Sequence, residues 1–136
     1  MKINRGQIST EYLIVVAFIS FSIISILVVS LFYLGIIQDK LKLNNLESFV
    51  NKIISSAEST FYSGQPSKIT INAYLPSGIE SIEILNKEIV FNVSTSSGLN
   101  IISFSSDVPL SGNLTNNEGL KIIKITAESD KVVILE

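Results

Sequence analysis

Cysteine and histidine are both absent from this chain of 136 residues. Without cysteine there is no disulfide framework and no thiolate metal site. Without histidine the chain lacks the side chain that most often serves as a general base near neutral pH. The sequence also contains no phosphate-binding loop, nucleophile motif or metal-ligand spacing. It therefore predicts a protein that is not an enzyme and that holds no cofactor or metal.

Charged residues are scarce and unevenly placed. They make up 16% of the chain, the net charge is −2, and no basic cluster follows Lys2 and Arg5 near the N-terminus. Because nucleic-acid binding depends on neutralising phosphates with lysine and arginine, we expect no nucleic-acid partner. Hydrophobic residues reach 46%. Many of them lie in one uncharged stretch, Tyr12 to Gln38, which we call the apolar run.

As a helix, the apolar run is about 40 Å long and can cross the roughly 30 Å hydrocarbon core of a bilayer. A secretory signal peptide would have a shorter apolar region followed by small residues at a cleavage site. The triplet Ser20-Phe21-Ser22 resembles such a site but lies in the middle of the run. A buried core helix of this length would need far more protein around it than the chain supplies. A single-pass anchor fits better, and Lys2 and Arg5 place its N-terminus in the cytoplasm.

The residues around the start of the run form a recognisable pattern. They read Lys2-Ile3-Asn4-Arg5-Gly6 and then Gln7-Ile8-Ser9-Thr10-Glu11-Tyr12-Leu13. This segment resembles the class III signal peptide of the archaeal type IV pilin family, in particular methanogen-type pilins with a Gln-x-Ser-x-Glu-Tyr-Leu start. The resemblance implies that a membrane prepilin peptidase cuts between Gly6 and Gln7, on the cytoplasmic side. It also implies that the apolar helix stays in the mature chain.

Glu11 is the most informative residue of this pattern. By the resemblance it becomes the fifth mature residue, a position where type IV pilins generally carry glutamate. Gln7 and Glu11 are four residues apart and therefore share one helix face. In a filament, the Glu11 carboxylate can pair with the new Gln7 amino group of a neighbouring subunit, which offsets the cost of burying both charges. The alternative is that Glu11 lies at the membrane interface and interacts with the helix dipole.

The helical pattern continues beyond the apolar run. Between residues 43 and 61 apolar residues recur at steps of three or four, the periodicity of an amphipathic helix. They are Leu43, Leu46, Val50, Ile53, Ala57 and Phe61. The segment Ser63-Gly64-Gln65-Pro66 then ends the helix. The sequence predicts one helix from about Gln7 to Tyr62, with its second half packed on the rest of the chain.

From Lys68 onward the hydrophobic pattern has a period of two, as in half-buried strands. About six strands are expected, at 68–74, 81–85, 88–94, 99–105, 120–127 and 131–135, with turns at 107–112 and 116–119. The predicted fold is α+β and pilin-like. It has a leader peptide (1–6), a long N-terminal helix that is first apolar and then amphipathic (7–62), and a small antiparallel β head (63–136). The head is either a sandwich or one curled sheet.

Two N-glycosylation sequons occur, Asn92-Val93-Ser94 and Asn113-Leu114-Thr115. Asn113 lies in a predicted loop, where acceptors are expected. Asn92 lies in a predicted strand, with its side chain on the face opposite to Phe91 and Val93. Both asparagines are candidate glycan sites, and the pilin resemblance favours glycosylation.

The resemblance leads to one functional expectation with two alternatives. The precursor is a single-pass membrane protein with its head outside the cell. Cleavage by prepilin peptidase then lets the helix join a homo-oligomeric helical filament at the cell surface, which serves adhesion. The alternatives are a minor pilin that primes or tips a filament, and a membrane-anchored extracellular binding module that never polymerises.

Overall fold

The computed structural model describes the backbone of residues 5–136 and the side chains of residues 9–136. Within this part of the chain one helix precedes seven strands, and the predicted α+β class is confirmed. The elements are α1 (Arg5–Tyr62), β1 (Lys68–Leu75), β2 (Ile79–Leu85), β3 (Glu88–Thr95), β4 (Gly98–Ser105), β5 (Leu110–Asn113), β6 (Gly119–Ala127) and β7 (Val132–Leu135). The chain divides into two compact units, one ending at Gln38 and the other spanning Asp39–Glu136.

The end of α1 is the predicted one. Its last residue is Tyr62, and Gly64 follows with φ of 75° and an N–H that donates to the Phe61 carbonyl at 3.0 Å. Glycine adopts this left-handed conformation without steric cost, which is why it commonly terminates helices. At the other end α1 begins at Arg5, two residues before the predicted start. Lys2 lies outside the described residues.

The strands form two sheets. One has four strands in the order β1-β6-β7-β5, and the other has three antiparallel strands in the order β2-β3-β4. Both sheets contribute side chains to one core, so two sheets are present rather than one curled sheet. The six predicted strands lie within two residues of their expected bounds, and the two-residue loop Asn86-Lys87 joins β2 to β3.

The expected turn at 107–112 is wrong, because it contains most of β5. This strand pairs in parallel with β7, the one parallel pair among the described strands. Pro109 and Gly112 are residue types common in turns, but the Leu110 side chain is buried in the core. A Cβ at Gly112 would lie 1.8 Å from the Ile134 carbonyl oxygen. Glycine is therefore needed here for the close approach of two strands, not for a turn.

The second half of α1 belongs to the core of the β head. Six of its side chains are buried there: Leu46, Phe49, Val50, Ile53, Ile54 and Ala57. Leu43 and Phe61 are partly buried against the same core, so the predicted helix face is confirmed. Phe49 and Ile54 widen that face beyond the predicted residues. Because a small β domain buries little apolar surface alone, the helix supplies core that the strands lack.

Replacing Leu46 by alanine should lower the free energy of unfolding of the head by about 3 kcal/mol, because a large cavity is left in a packed core. Leu41 is a matched control on the same helix, since its side chain is 57% exposed and its replacement should cost less than about 0.5 kcal/mol. Denaturant unfolding of the full chain in detergent micelles measures both. Equal losses in the two variants would show that this helix face is not part of the folded core.

Candidate functional site

The apolar run of α1 is uncovered by the rest of the chain. Every large hydrophobic side chain between Tyr12 and Ile37 is at least 42% exposed. Its most apolar 18-residue window has a mean hydropathy of 2.8, and none of that window is buried. Among the described residues, α1 is the one helix long and apolar enough to cross a membrane. Such a helix at the N-terminus is suited to be a membrane anchor or a signal sequence.

Hydroxyl groups within the apolar run are satisfied by their own helix. Ser22 Oγ donates to the Phe18 carbonyl at 2.9 Å, and Ser25 Oγ donates to the Phe21 carbonyl at 2.8 Å. These bonds to the residue four positions back leave neither hydroxyl without a partner. The two serines can therefore face lipid or another helix at low cost.

Glu11 is exposed on α1, one residue ahead of the apolar run. The next charged residue along the chain is Asp39, so two carboxylates flank the run. Gly6 and Gln7, the residues on either side of the predicted cleavage point, have helical backbone. The side chains of Arg5 and Gln7 lie outside the described side chains.

A polar contact lies at the other end of the apolar run. Asp39 Oδ2 accepts hydrogen bonds from the Ser96 N–H at 3.0 Å and from the Ser96 hydroxyl. One turn further, Lys42 Nζ donates to the Ser94 carbonyl at 2.8 Å. The hydrogen bonds from the Ser96 hydroxyl and N–H lower the pKa of Asp39 below its ordinary value. Asp39 and Lys42 thus hold the turn between β3 and β4 to the helix. Asp39, the first residue after the apolar run, does so as an ionised carboxylate.

Two further polar contacts join α1 to the head. Lys52 Nζ donates to the Asn72 carbonyl of β1 at 2.7 Å. Glu58 Oε1 accepts from the Asp107 N–H, ahead of β5, at 3.1 Å. Both sheets and the loop before β5 are therefore connected to the helix by side-chain-to-backbone bonds as well as by the core.

A second polar cluster holds the start of β6, the loop after β5 and Glu136 together. Lys121 Nζ lies 2.6 Å from Glu136 Oε1 and also donates to the Thr115 hydroxyl. Glu136 Oε2 accepts from the Thr115 N–H at 2.9 Å and from its hydroxyl at 2.7 Å. Partial burial raises the pKa of Glu136, but the hydrogen bonds from Lys121 and Thr115 outweigh it, so the pKa is lowered overall.

The sequence of β6 contains a signal for this cluster. Lys121 occupies the same face of β6 as Ile123 and Ile125, which are buried. A lysine on the inward face of a strand requires a buried partner. Nothing local identified Glu136 as that partner, because it lies 15 residues further along the chain.

The two sequons differ in accessibility. Asn92 lies on β3, the central strand of its sheet, where it is half-buried and its Nδ2 donates to Ser81 Oγ at 2.7 Å. Asn113 is exposed, although it is the last residue of β5 and not part of a loop as expected. The sequon hydroxyl of Thr115 is hydrogen-bonded in the Lys121–Glu136 cluster.

Within residues 9–136, no three acidic side chains come close enough together to hold a metal ion. Comparison of the chain with protein-family models, curated proteins and solved structures gives no match. The candidate site is thus the exposed apolar run itself, which Glu11 and Asp39 flank in the chain.

Glu136→Gln should lower the free energy of unfolding by about 1 kcal/mol at pH 7, because a charge-assisted bond from Lys121 is weakened. A carboxylate whose pKa is depressed on folding stabilises the folded state above its unfolded pKa. That stabilisation is lost as the pH falls through the folded value, so the variant and the parent chain should converge in acid. Thermal unfolding of both chains between pH 7 and pH 3 measures the difference.

Glu128 provides the control for this measurement. It faces Lys131 at 3.8 Å, and both side chains are about half exposed, so Glu128→Gln should have an effect below about 0.5 kcal/mol. A Glu136→Gln deficit that stays constant down to pH 3 would contradict the assignment of the stabilisation to an ionised Glu136.

Proposed function

We propose that this chain is a structural subunit of an archaeal type IV pilus-like surface filament, made as a membrane-held precursor and serving adhesion. The observation that carries the proposal is the uncovered apolar run in a helix whose second half is built into the head. Such a helix needs an apolar environment at one end and a folded domain at the other. The motif from Gly6 to Leu13 supports the choice of a pilin among proteins with this requirement.

Before assembly, lipid provides the apolar environment. A run of about 40 Å matches the bilayer including its headgroup layers, roughly 40–45 Å. Glu11 and Asp39 then lie at the two polar surfaces, where a carboxylate costs little. Lys2 and Arg5 keep the N-terminus in the cytoplasm, so the head lies outside the cell.

After cleavage, neighbouring helices provide the apolar environment. The apolar runs of many copies would pack together as the filament core, with the heads at the surface. Assembly of this kind needs heterologous contacts that do not close into a ring. Glu11 is the one charged side chain that enters the core, and the charged Gln7 amino group of a neighbouring copy neutralises it.

Cleavage itself would require a change in backbone conformation. The bond between Gly6 and Gln7 lies in helical backbone, whereas a peptidase generally needs an accessible, locally unwound segment. Glycine weakens a helix by up to about 1 kcal/mol relative to alanine. Gly6 therefore makes the first turn of α1 easier to open at the point of cleavage.

Coexpression with a prepilin peptidase should remove residues 1–6 and leave Gln7 as the N-terminus, as read by intact mass and N-terminal sequencing. Gly6→Val should block cleavage, because a β-branched side chain obstructs the backbone at the scissile bond. Gly35→Ala, at the other glycine of α1, should be cut normally. An unshortened parent chain would leave the non-polymerising membrane-anchored module as the better proposal.

Glu11→Gln should be cut and stay membrane-bound, yet yield at least about tenfold less filament, because the Gln7 amino group then lacks its buried partner. Glu47→Gln is the matched control, since Glu47 is an exposed acid of the same helix beyond the apolar run. Sheared filaments quantified against total processed protein give the yield. Normal yield from Glu11→Gln would exclude the proposed role of the carboxylate. Abundance of the chain in purified filaments separates a major from a minor pilin.

Asn113 is the better proposed glycan acceptor of the two sequons. Its side chain is exposed, whereas Asn92 is half-buried and hydrogen-bonded to Ser81. Because the Thr115 hydroxyl is bonded to Glu136 in the folded head, transfer would have to precede folding of this loop. The mass measurement on the processed chain also tests this point, since Asn113→Gln should remove any added sugar and Asn92→Gln should not.

A further inference from the structure

The outer face of the β3–β4 hairpin carries no charge from its turn as far as Val90 and Ser103, and Glu88 lies beyond them at the start of β3. No charged residue occurs between Glu88 and Asp107. The side chains of Phe91 and Val93 point into the core, so the alternate residues face outward. By the strand register these outward residues pair as Val90 with Ser103, Asn92 with Ile101 and Ser94 with Leu99. We call this surface the hairpin face.

Two large apolar side chains are exposed on the hairpin face. Leu99 is 62% exposed and Ile101 is 72% exposed, and both lie on β4, an edge strand. The outer face of the β1–β6 pair also exposes apolar side chains, but it carries lysines at Lys68 and Lys124. The hairpin face therefore combines exposed apolar groups with hydroxyl and amide groups only, a composition that enters a lipid headgroup layer without desolvating a charge.

The position of the hairpin is set by Asp39. Its carboxylate binds the N–H and hydroxyl of Ser96 in the turn of the hairpin, and Lys42 binds the Ser94 carbonyl. Asp39 is the first charged residue after the apolar run. When the run spans a bilayer, Asp39 lies in the outer headgroup layer, and the turn bonded to it lies there too. Leu99 is three residues from Ser96, or about 10 Å along a strand.

We propose that in the membrane-held precursor the hairpin face docks on the outer lipid surface, with Leu99 and Ile101 inserted at the boundary of headgroups and acyl chains. This inference rests on the proposed membrane-held state. The occupant is lipid, because the bond between Asp39 and Ser96 keeps the hairpin beside the point where the chain leaves the bilayer. The hairpin face is then a second membrane contact, which the head gives up when the subunit enters a filament.

The chain is well suited to a test, because it has no cysteine. A single Leu99→Cys substitution can carry an environment-sensitive fluorophore in the full-length precursor. Leu120→Cys is a matched control, since Leu120 is 68% exposed and, like Leu99, follows a positive-φ glycine at the start of a strand. Both labelled chains are reconstituted into phosphatidylcholine vesicles containing a lipid with a nitroxide on its headgroup.

Nitroxide quenching at Leu99 should exceed that at Leu120 severalfold. In an Asp39→Ala background, which removes the acceptor for Ser96, quenching at Leu99 should fall towards the Leu120 level. Unchanged Leu99 quenching in that background would overturn the positioning role of Asp39.

Vesicle flotation separates this inference from the proposed function. Chains that float with the vesicles but show equal quenching at Leu99 and Leu120 would overturn the docking of the hairpin face alone. A third outcome is that labels at Leu99 quench one another, lose this quenching on dilution with unlabelled chain, and show no quenching by the nitroxide. This result would identify a second copy as the occupant of the hairpin face and would overturn the docking on lipid. Chains that fail to float would overturn both the docking and the membrane-held precursor.

Discussion

The exposed side chains of the apolar run have to be removed from water, and the other features of the chain are arranged around that requirement. Full burial of one large apolar side chain is worth roughly 1.5–3 kcal/mol. Summed over the run, the exposed apolar surface represents far more free energy than the 5–15 kcal/mol that typically holds a domain together. The isolated chain in water is therefore not its working state. Lipid satisfies this helix, and so would a bundle of identical helices. In the proposed pathway the chain passes from the first environment to the second.

The same helix meets a different requirement after Asp39. There one face is buried in the head, through Leu46, Val50 and Ile53 among others, while Lys42, Lys52 and Glu58 bind backbone groups of the head. The head consequently folds with a part of the helix as its core, and the helix cannot be withdrawn without opening that core. In the proposed filament, load applied to a head would therefore reach the helix after Asp39 through packed side chains and hydrogen bonds.

Most of the fold could be predicted because its signals are local. The change of hydrophobic period at Lys68 and the Gly64 stop define the helix and the strands within two residues. The features that were missed depend on partners far away in the chain. β5 looks like a turn until Leu110 is buried and Gly112 is placed against Ile134 of β7. The pairing of Asp39 with Ser96 joins residues 57 positions apart, and no periodicity contains that information. For the N-terminal motif the opposite holds, since Gly6, Gln7 and Glu11 stand out only in the sequence.

The order of strands in the four-stranded sheet has a consequence for biogenesis. β7 lies between β6 and β5, although it is the last of the described strands in the chain. β1 can join this sheet only by pairing with β6, which is the sixth strand in chain order. The three consecutive strands β2, β3 and β4 need only short-range contacts, so they can form before the rest of the head. The four-stranded sheet closes only when β7 is inserted into its middle. Until then the core that includes the buried helix face lacks Val132 and Ile134 of β7. In the proposed membrane-held precursor, delivery of the chain across the membrane would therefore couple completion of the four-stranded sheet to translocation of β7, and a chain stalled before β7 would keep that sheet open to proteases.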